Sequence, residues 1–527
     1  MCCAPVAQRI ERLASDQEVA GSSPAGRENM TEKTFKIPPQ VAETEKTLEN
    51  KGFEAYLVGG CVRDLLIGKK PKDWDITTSA TPEEIIASFP KTFYENDYGT
   101  VGVVNENIED DTLKVIEVTP FRLESTYSNR RHPDSVKFSK NLEDDLKRRD
   151  FTVNAIALKI DESKGHSYKG HLLDFYKGQK DIESKIVRTV GEPDEKFSED
   201  ALRMLRGIRI SCDLGFTINI ETSDSIKRCA KYLKEISRER IRDEFSKILM
   251  TERPKEGMQK LHEYGLLSYF LPELEEGIGI KQNKAHAYDV WEHSLRTLQH
   301  SAKNGWLLEV RLASLFHDIG KIQARRWSEE KKDWTFHGHD VMGSRTTAKI
   351  LSRLMFPVKT IEKVTKLVRW HMFFSDTEQI TLSSVRRLVR NVGKEDIWDL
   401  MNVRVCDRIG TGRPKEHPYR LRKYKSMVEE VMHDPLTVGM LKINGNRIME
   451  ISEIEPGPKI GSILHILLEE IVENPKLNTV EYLENRAKIL AKMTDSDLEK
   501  KGSLAKARKN SEEEKTIRKI REKYWVE

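Results

Sequence analysis

Short apolar runs broken by glycine and acidic residues mark the first third of the chain, and amphipathic helical stripes mark the rest. Ala55-Tyr-Leu-Val-Gly-Gly-Cys-Val-Arg-Asp-Leu-Leu-Ile-Gly68 predicts a short apolar strand, a Gly59-Gly60 turn and then a helix. Lys72-Asp-Trp-Asp-Ile-Thr-Thr78 predicts a strand, with Asp73 and Asp75 on one face and Trp74 and Ile76 on the other. Leu113-Lys-Val-Ile-Glu-Val-Thr119 predicts another, in which Glu117 faces away from Ile116 and Val118. Further on, Leu202, Leu205 and Ile208 form the stripe of one helix, and Leu312-Ala-Ser-Leu-Phe316 forms an apolar helix that runs into His317-Asp318. The fold expected from this order is α+β: a mixed sheet with helices first, then a mostly α-helical remainder.

At 527 residues the chain exceeds a single hydrophobic core, so about three or four domains are expected. Hydrophobic residues make up 38% and charged residues 33%, as in a water-soluble, helix-rich protein, and no apolar run has the length of a membrane span. An apolar secretory leader is also missing from the pattern, which points to the cytoplasm. A net charge of +4 does not itself imply nucleic acid, so any such contact must come from local clusters. Cys2, Cys3, Cys61, Cys212, Cys229 and Cys406 contain no CxxC and read as free thiols.

Chemistry changes this picture at three places. Gly59 and Gly60 let backbone approach a phosphate, the following helix offers free N–H groups, and Arg63 adds a cation one turn in. Asp73 and Asp75 repel each other unless a cation lies between them. Nucleotidyl transfer uses such metal-bound carboxylates, with Glu117 as the candidate third member. On the striped helix Asp200 and Arg203 stand three apart and are expected to share a face, offering an acceptor and donors to a nucleobase edge. Finally, burying adjacent His317 and Asp318 costs free energy unless a metal or partner satisfies them. Imidazole with carboxylate suits Mn, Fe, Co, Ni or Mg.

With these blocks in place, Thr34 to about Leu490 resembles the polymerase-β-type nucleotidyltransferases, and more narrowly the class II CCA-adding enzymes and poly(A) polymerases. The resemblance implies a polymerase-β-like head, a helical neck, an HD domain and a tail. It assigns Arg148-Arg-Asp-Phe-Thr-Val-Asn-Ala155, and so Arg149, Asp150 and Asn154, to ribose and triphosphate reading. Asp174 to Asp181 with Gly178 matches the hinge between head and neck. Glu199-Asp-Ala-Leu-Arg-Met-Leu-Arg-Gly-Ile-Arg209 matches the base-selecting block with Asp200, Arg203, Arg206 and Arg209, and Ser237 to Glu244 matches a bracing helix. It also implies Mg²⁺ at Asp73 and Asp75, with tRNA, CTP and ATP as partners. His293, His317, Asp318 and Asp407 match the four ligands of an HD phosphohydrolase, with His339 and His371 as further ligands and His337 competing with His339. Leu441-Lys-Ile-Asn-Gly-Asn-Arg-Ile-Met449 resembles the family's tail, although Asn446 replaces a common acidic residue.

The expected divisions are a leader at 1–29, a head at 30–165, a neck at 166–280, an HD domain at 281–410, a tail at 411–498 and a charged extension at 499–527. The extension carries ten Lys/Arg against six Glu and reads as a solvated end, with RNA-backbone binding as the sharper alternative. Leader residues Gly21-Ser-Ser-Pro24 can be encoded by GGT-TCG-AGT-CC, a tRNA-gene T-arm, so translation is expected to begin at Met30. The polar segment Phe121–Phe138 reads as a mobile loop, which CC-only family members lack. Lys91–Val103 looks like the CCA-adding type rather than the arginine-rich block of poly(A) polymerases. Addition of CCA, or of its terminal A alone, remains open at this point. Two rivals also stand: a poly(A) polymerase acting on general RNA, and an HD-type RNA phosphohydrolase whose head only binds RNA. Nothing in these motifs bears on oligomeric state.

Overall fold

The structure is a computed structural model that describes residues 32–94, 99–124, 136–164, 167–283, 287–373, 380–494 and 497–498. The leader, residues 125–135 of the polar loop and the charged extension lie outside the described residues.

The head contains strands β1 Glu32–Phe35, β2 Ala55–Val58, β3 Asp75–Thr78, β4 Thr92–Tyr94, β5 Val101–Val104, β6 Val115–Pro120, β7 Arg122–Glu124, β8 Val136–Phe138, β9 Ala157–Lys164 and β10 Ser167–Leu173. Eight of them form one sheet in the order β1-β10-β9-β2-β3-β6-β5-β4, while β7 and β8 make a separate ribbon. Only β3 and β6 run parallel among neighbours in the large sheet, so the sheet is mixed, as expected. Alternation sorts its faces: Ile116 and Val118 are buried and Glu117 between them is exposed. Val41 and Leu48 of helix Pro39–Asn50 join Leu57, Ile76, Ile116 and Val118 in the head core.

Two expectations shift here. The strand expected at 72–78 begins only at Asp75. Its partner β2 ends at Val58, with Leu57 opposite Ile76, so Asp73 lies in the bend where the glycine turn replaces a pairing strand. The head also extends past residue 165. β10, Ser167–Leu173, pairs with β9 on one side and β1 on the other, so it belongs to the sheet of the head.

Beyond the head the chain is mostly helical. Helix Leu202–Leu214 packs on helix Arg238–Met250, and one continuous apolar cluster runs from Phe151 through the neck and histidine-bearing region to Leu436. Helices Gly445–Ser452, Pro458–Glu473 and Val480–Ala491 bury a separate core around Ile448, Leu467 and Leu483. Cys61, Cys212, Cys229 and Cys406 are free and buried. Among the described residues no helix is long and apolar enough to cross a membrane.

Candidate active site and candidate metal centre

The parallel register of β3 and β6 sets Asp75 directly opposite Glu117. Asp73 joins them from the bend, so the three acidic residues singled out from the sequence form one cluster. Its electrostatics are those of a cation site. Burial, Asp73 and Glu117 together push the Asp75 carboxyl up to about 7, with Arg149 and Arg206 opposing. The glycine turn lies against this cluster. Gly59 has φ +84, and a Cβ there would sit 3.0 Å from Asp75 Oδ2 and 3.2 Å from an Arg149 nitrogen. A side chain is therefore excluded both by the left-handed backbone and by the close approach.

A polar chain runs from the turn into the neck. Arg63 donates to Asn154 Oδ1 at 2.7 Å, and Asn154 Nδ2 donates to Asp150 Oδ1 at 3.3 Å. Arg206 Nε then donates to Asp150 Oδ2 at 2.8 Å. Burial opposes charge on Asp150, yet Arg206 and Arg203 hold it well below the usual carboxylate range. The head–neck joint is equally well tied: Asp174 accepts the N–H groups of Gly178 and Gln179, both at 2.8 Å, and Asp181 accepts Thr152 Oγ1 at 2.7 Å.

The expected shared face of Asp200 and Arg203 is corrected. Asp200 stands between helix Pro193–Glu199 and helix Leu202–Leu214 in an extended conformation, and its Oδ1 accepts Leu202 N at 3.0 Å. Asp200 is thus the C-cap of the preceding helix, and Ala201 stands between it and the next one, which displaces it from the stripe. Arg240 donates to both Asp200 oxygens, at 3.3 and 2.7 Å. Arg203 is buried and bonds Glu199, with a further 3.2 Å bond to Arg148 O. Arg209 donates to Glu244 Oε2 at 2.8 Å, so Arg238–Met250 holds helix Leu202–Leu214 at Arg209 and the residue before its start at Asp200. Arg240 and Glu199 were missed as partners because each pairing depends on the tertiary fold or on a helix end.

The second centre lies in helices downstream. His293 Nε2 is 3.0 Å from His317 Nε2, 3.1 Å from Asp318 Oδ2 and 3.3 Å from Asp407 Oδ1. His339 and His371 approach the other Asp318 oxygen at 3.5 and 3.7 Å. Two buried donor sets thus meet at Asp318: His293, His317 and Asp407 on one side, Asp318 with His339 and His371 on the other. His337 is exposed, which resolves its competition with His339 in favour of His339.

Orientation is fixed from the backbone. The Nδ1 atoms of His317, His339 and His371 each face the carbonyl three residues earlier, at 2.9, 2.7 and 2.7 Å, leaving Nε2 for the centre. The buried Nε2 atoms of His339 and His371 have no hydrogen-bond partner among the described residues, as expected of metal-ligating nitrogens. Burial opposes charge on His317, but Asp318 and Asp407 raise it to about 10, whereas burial drives His339 down to about 4. This donor set fits a divalent cation. Lys321, at 2.7 Å from Asp318 and 2.6 Å from Gln282, and Arg404, at 2.7 Å from Asp407, complete the surroundings and were not singled out in the sequence. Lys321 was legible there in principle, since it stands three residues after Asp318 on a helical turn.

Comparison with known proteins follows this division. Residues 55–188 match the poly A polymerase head domain, 215–278 a probable RNA and SrmB-binding site of polymerase A, and 290–412 the HD domain. A CCA-adding enzyme of Geobacillus thermodenitrificans is 32% identical over 452 residues, covering 84% of this chain and 96% of that protein. A CC-adding tRNA nucleotidyltransferase of Thermus thermophilus is 32% identical over 433 residues, covering 80% and 90% respectively. Among solved structures, the Bacillus stearothermophilus CCA-adding enzyme in complex with CTP superposes with a TM-score of 0.64 at 29% identity, covering 86% of this chain and 97% of that one.

Proposed function

Because the chain belongs to the family of CCA-adding enzymes, with its polymerase-β-like head, we propose that it is a tRNA nucleotidyltransferase that adds CCA to tRNA 3′ ends from CTP and ATP without a nucleic-acid template. The observation that carries this reading is the Asp73, Asp75 and Glu117 cluster beside the Gly59 turn. The tRNA 3′-hydroxyl attacks the nucleotide α-phosphate, a new P–O bond forms, and pyrophosphate leaves. Asp73 and Asp75 would hold magnesium, which when bound would supply activation of the hydroxyl and neutralisation of the triphosphate. Gly59, Gly60, Arg63 and Arg149 receive the phosphates, while Asp150 and Asn154 hold the ribose side. Asp200, Arg203, Arg206 and Arg209 present the base-selecting face from the neck. Incubation with tRNA ending before CCA, with CTP, ATP or both, tests the product. CCA addition requires both nucleotides; no extension of this tRNA, together with extension by ATP of tRNA already ending in CC, would replace it by addition of the terminal A alone.

Arg203→Ala is expected to blur base choice more than it slows chemistry. Losing a hydrogen-bonding partner of this kind corresponds to a roughly 10- to 100-fold loss of discrimination. UTP and GTP misincorporation, measured beside CTP addition, reads it. Unchanged fidelity with a collapsed rate would make Arg203 a purely structural residue.

RNA approaches along the neck. Lys227, Lys231 and Lys234 are exposed and lie over the rings of Tyr264, Tyr232 and Tyr269. Changing all three lysines to glutamate is expected to weaken tRNA binding and to make the log–log salt dependence shallower by roughly 2. An unchanged slope in filter binding would remove these lysines from the RNA path.

The HD centre carries a second activity in this reading. Since Asp318 lies between the His293, His317 and Asp407 group and its own partners His339 and His371, a divalent metal such as Ni, Mn, Co, Fe or Mg held there would activate water. A 2′,3′-cyclic phosphate or 3′-phosphate at a tRNA end blocks addition, and hydrolysis would restore the 3′-hydroxyl or open the path to it.

A further inference from the structure

We propose that Phe93 is the platform on which the 3′-terminal base of the tRNA stacks during addition, a positioning role that rests on the function proposed above. Phe93 of β4 is paired with Gly102 of β5, Gly102 with Glu117 of β6, and Glu117 with Asp75 of β3. Directly paired residues share a sheet face, so all four form one row across the face that bears the carboxylates. The Phe93 ring lies over Gly102: a Cβ on that glycine would be 2.5, 2.6 and 3.1 Å from three ring atoms. The ring therefore leans inward, about one strand spacing, ~5 Å, from Glu117. It is nonetheless 41% exposed. Its neighbour Tyr94 points the other way, with its hydroxyl bonded to Glu83 at 3.3 Å on the helix side.

Topology says which substrate meets that ring. Gly59 and Gly60 follow β2, and Asp150 and Asn154 precede β9, so the residues for the incoming nucleotide gather on the β2–β9 side of Asp75. Attacking and leaving oxygens must be roughly in line at the α-phosphate. The attacking 3′ end then arrives from the opposite side, over β6, β5 and β4. A hydroxyl beside Glu117 brings its own base within one nucleotide of Phe93. The chemistry of the platform also suits the reaction. The terminal base changes as each nucleotide is added, so a hydrogen-bonding reader would fail at successive steps, whereas an aromatic face accepts every base.

The test compares wild type with Phe93→Leu and Phe93→Trp, using tRNA ending before CCA and the same tRNA with an abasic 3′-terminal nucleotide. Leucine still covers Gly102 but cannot stack. Removing the terminal base should weaken binding to wild type and to Phe93→Trp by about 5- to 150-fold, corresponding to ~1–3 kcal/mol of stacking. Phe93→Leu should bind both RNAs within about twofold of each other and show a matching rise in KM for tRNA, with KM for CTP unchanged. Equal loss in wild type and Phe93→Leu, or a rise in KM for CTP instead, overturns the platform. Nucleotide addition by wild type is measured alongside. Normal addition without coupling defeats only the platform, and no addition by wild type defeats the proposed function with it.

Discussion

Asp75→Ala is expected to abolish nucleotide addition while tRNA binding stays within about twofold of wild type, because the carboxylate holds cation and not RNA. Asp75 faces Glu117 in the parallel pair and lies within van der Waals range of a Cβ at Gly59. Losing a ligand that stabilises charge at the transition state costs several kcal/mol, and each ~1.4 kcal/mol is a factor of ten in rate, so a loss of roughly 10³-fold or more is expected. Asp73→Ala should behave alike, and Glu117→Ala should also be damaging. Single-turnover extension of labelled tRNA, with binding measured separately, checks this. Residual activity above about a tenth in both aspartate variants would sink the assignment. A companion effect has a definite sign. Asp75 titrates near 7 without cation, so protons compete with magnesium below neutrality. The magnesium concentration for half-maximal rate should rise as pH falls from 8 to 6, at roughly tenfold per unit below 7.

Asp318→Asn is expected to abolish hydrolysis of a 2′,3′-cyclic nucleotide in the presence of Ni²⁺, Mn²⁺ or Mg²⁺ and to leave addition within about twofold. Asp318 is the buried anion between His293 and His317 on one side and His339 and His371 on the other, with Lys321 at 2.7 Å. Neutralising it strands buried positive charge, at about 3–5 kcal/mol of local stability. Metal content and the thermal midpoint are therefore measured with the hydrolysis rate. A folded variant that binds no metal and hydrolyses nothing supports a catalytic centre. A wild type that hydrolyses nothing with any of the three metals, yet loses stability on chelation, makes the metal structural.

Most of the head was legible because a period of two displays itself. Glu117 between Ile116 and Val118 identified both the strand and the face before any partner was known. What escaped were features decided by other segments. Asp73 left the strand because β2 runs out, a fact about β2 rather than about Asp73. Asp200 left the helix because it ends the preceding one in an extended conformation. The boundary set at residue 165 fell short because only the pairing of Ser167–Leu173 with β9 and β1 assigns that segment to the head. In the second centre the histidine–aspartate pair stood out as costly to bury, but choosing His339 over His337 required knowing which one is turned inward.

The chain of bonds from Arg63 through Asn154 and Asp150 to Arg206 has a thermodynamic consequence. It joins a side chain on the helix after the Gly59 turn to one on helix Leu202–Leu214, the two places where the proposed function puts triphosphate and base. Occupancy at one end that shifts this relay alters affinity at the other, and the factor is the same in both directions. On the proposed function, a correct base is expected to tighten the grip on its own triphosphate by the same factor as the triphosphate tightens the grip on the base. Pyrophosphate and a nucleoside offered as separate molecules should bind with positive cooperativity in wild type. In Asn154→Ala, which interrupts the relay midway, each should bind without regard to the other.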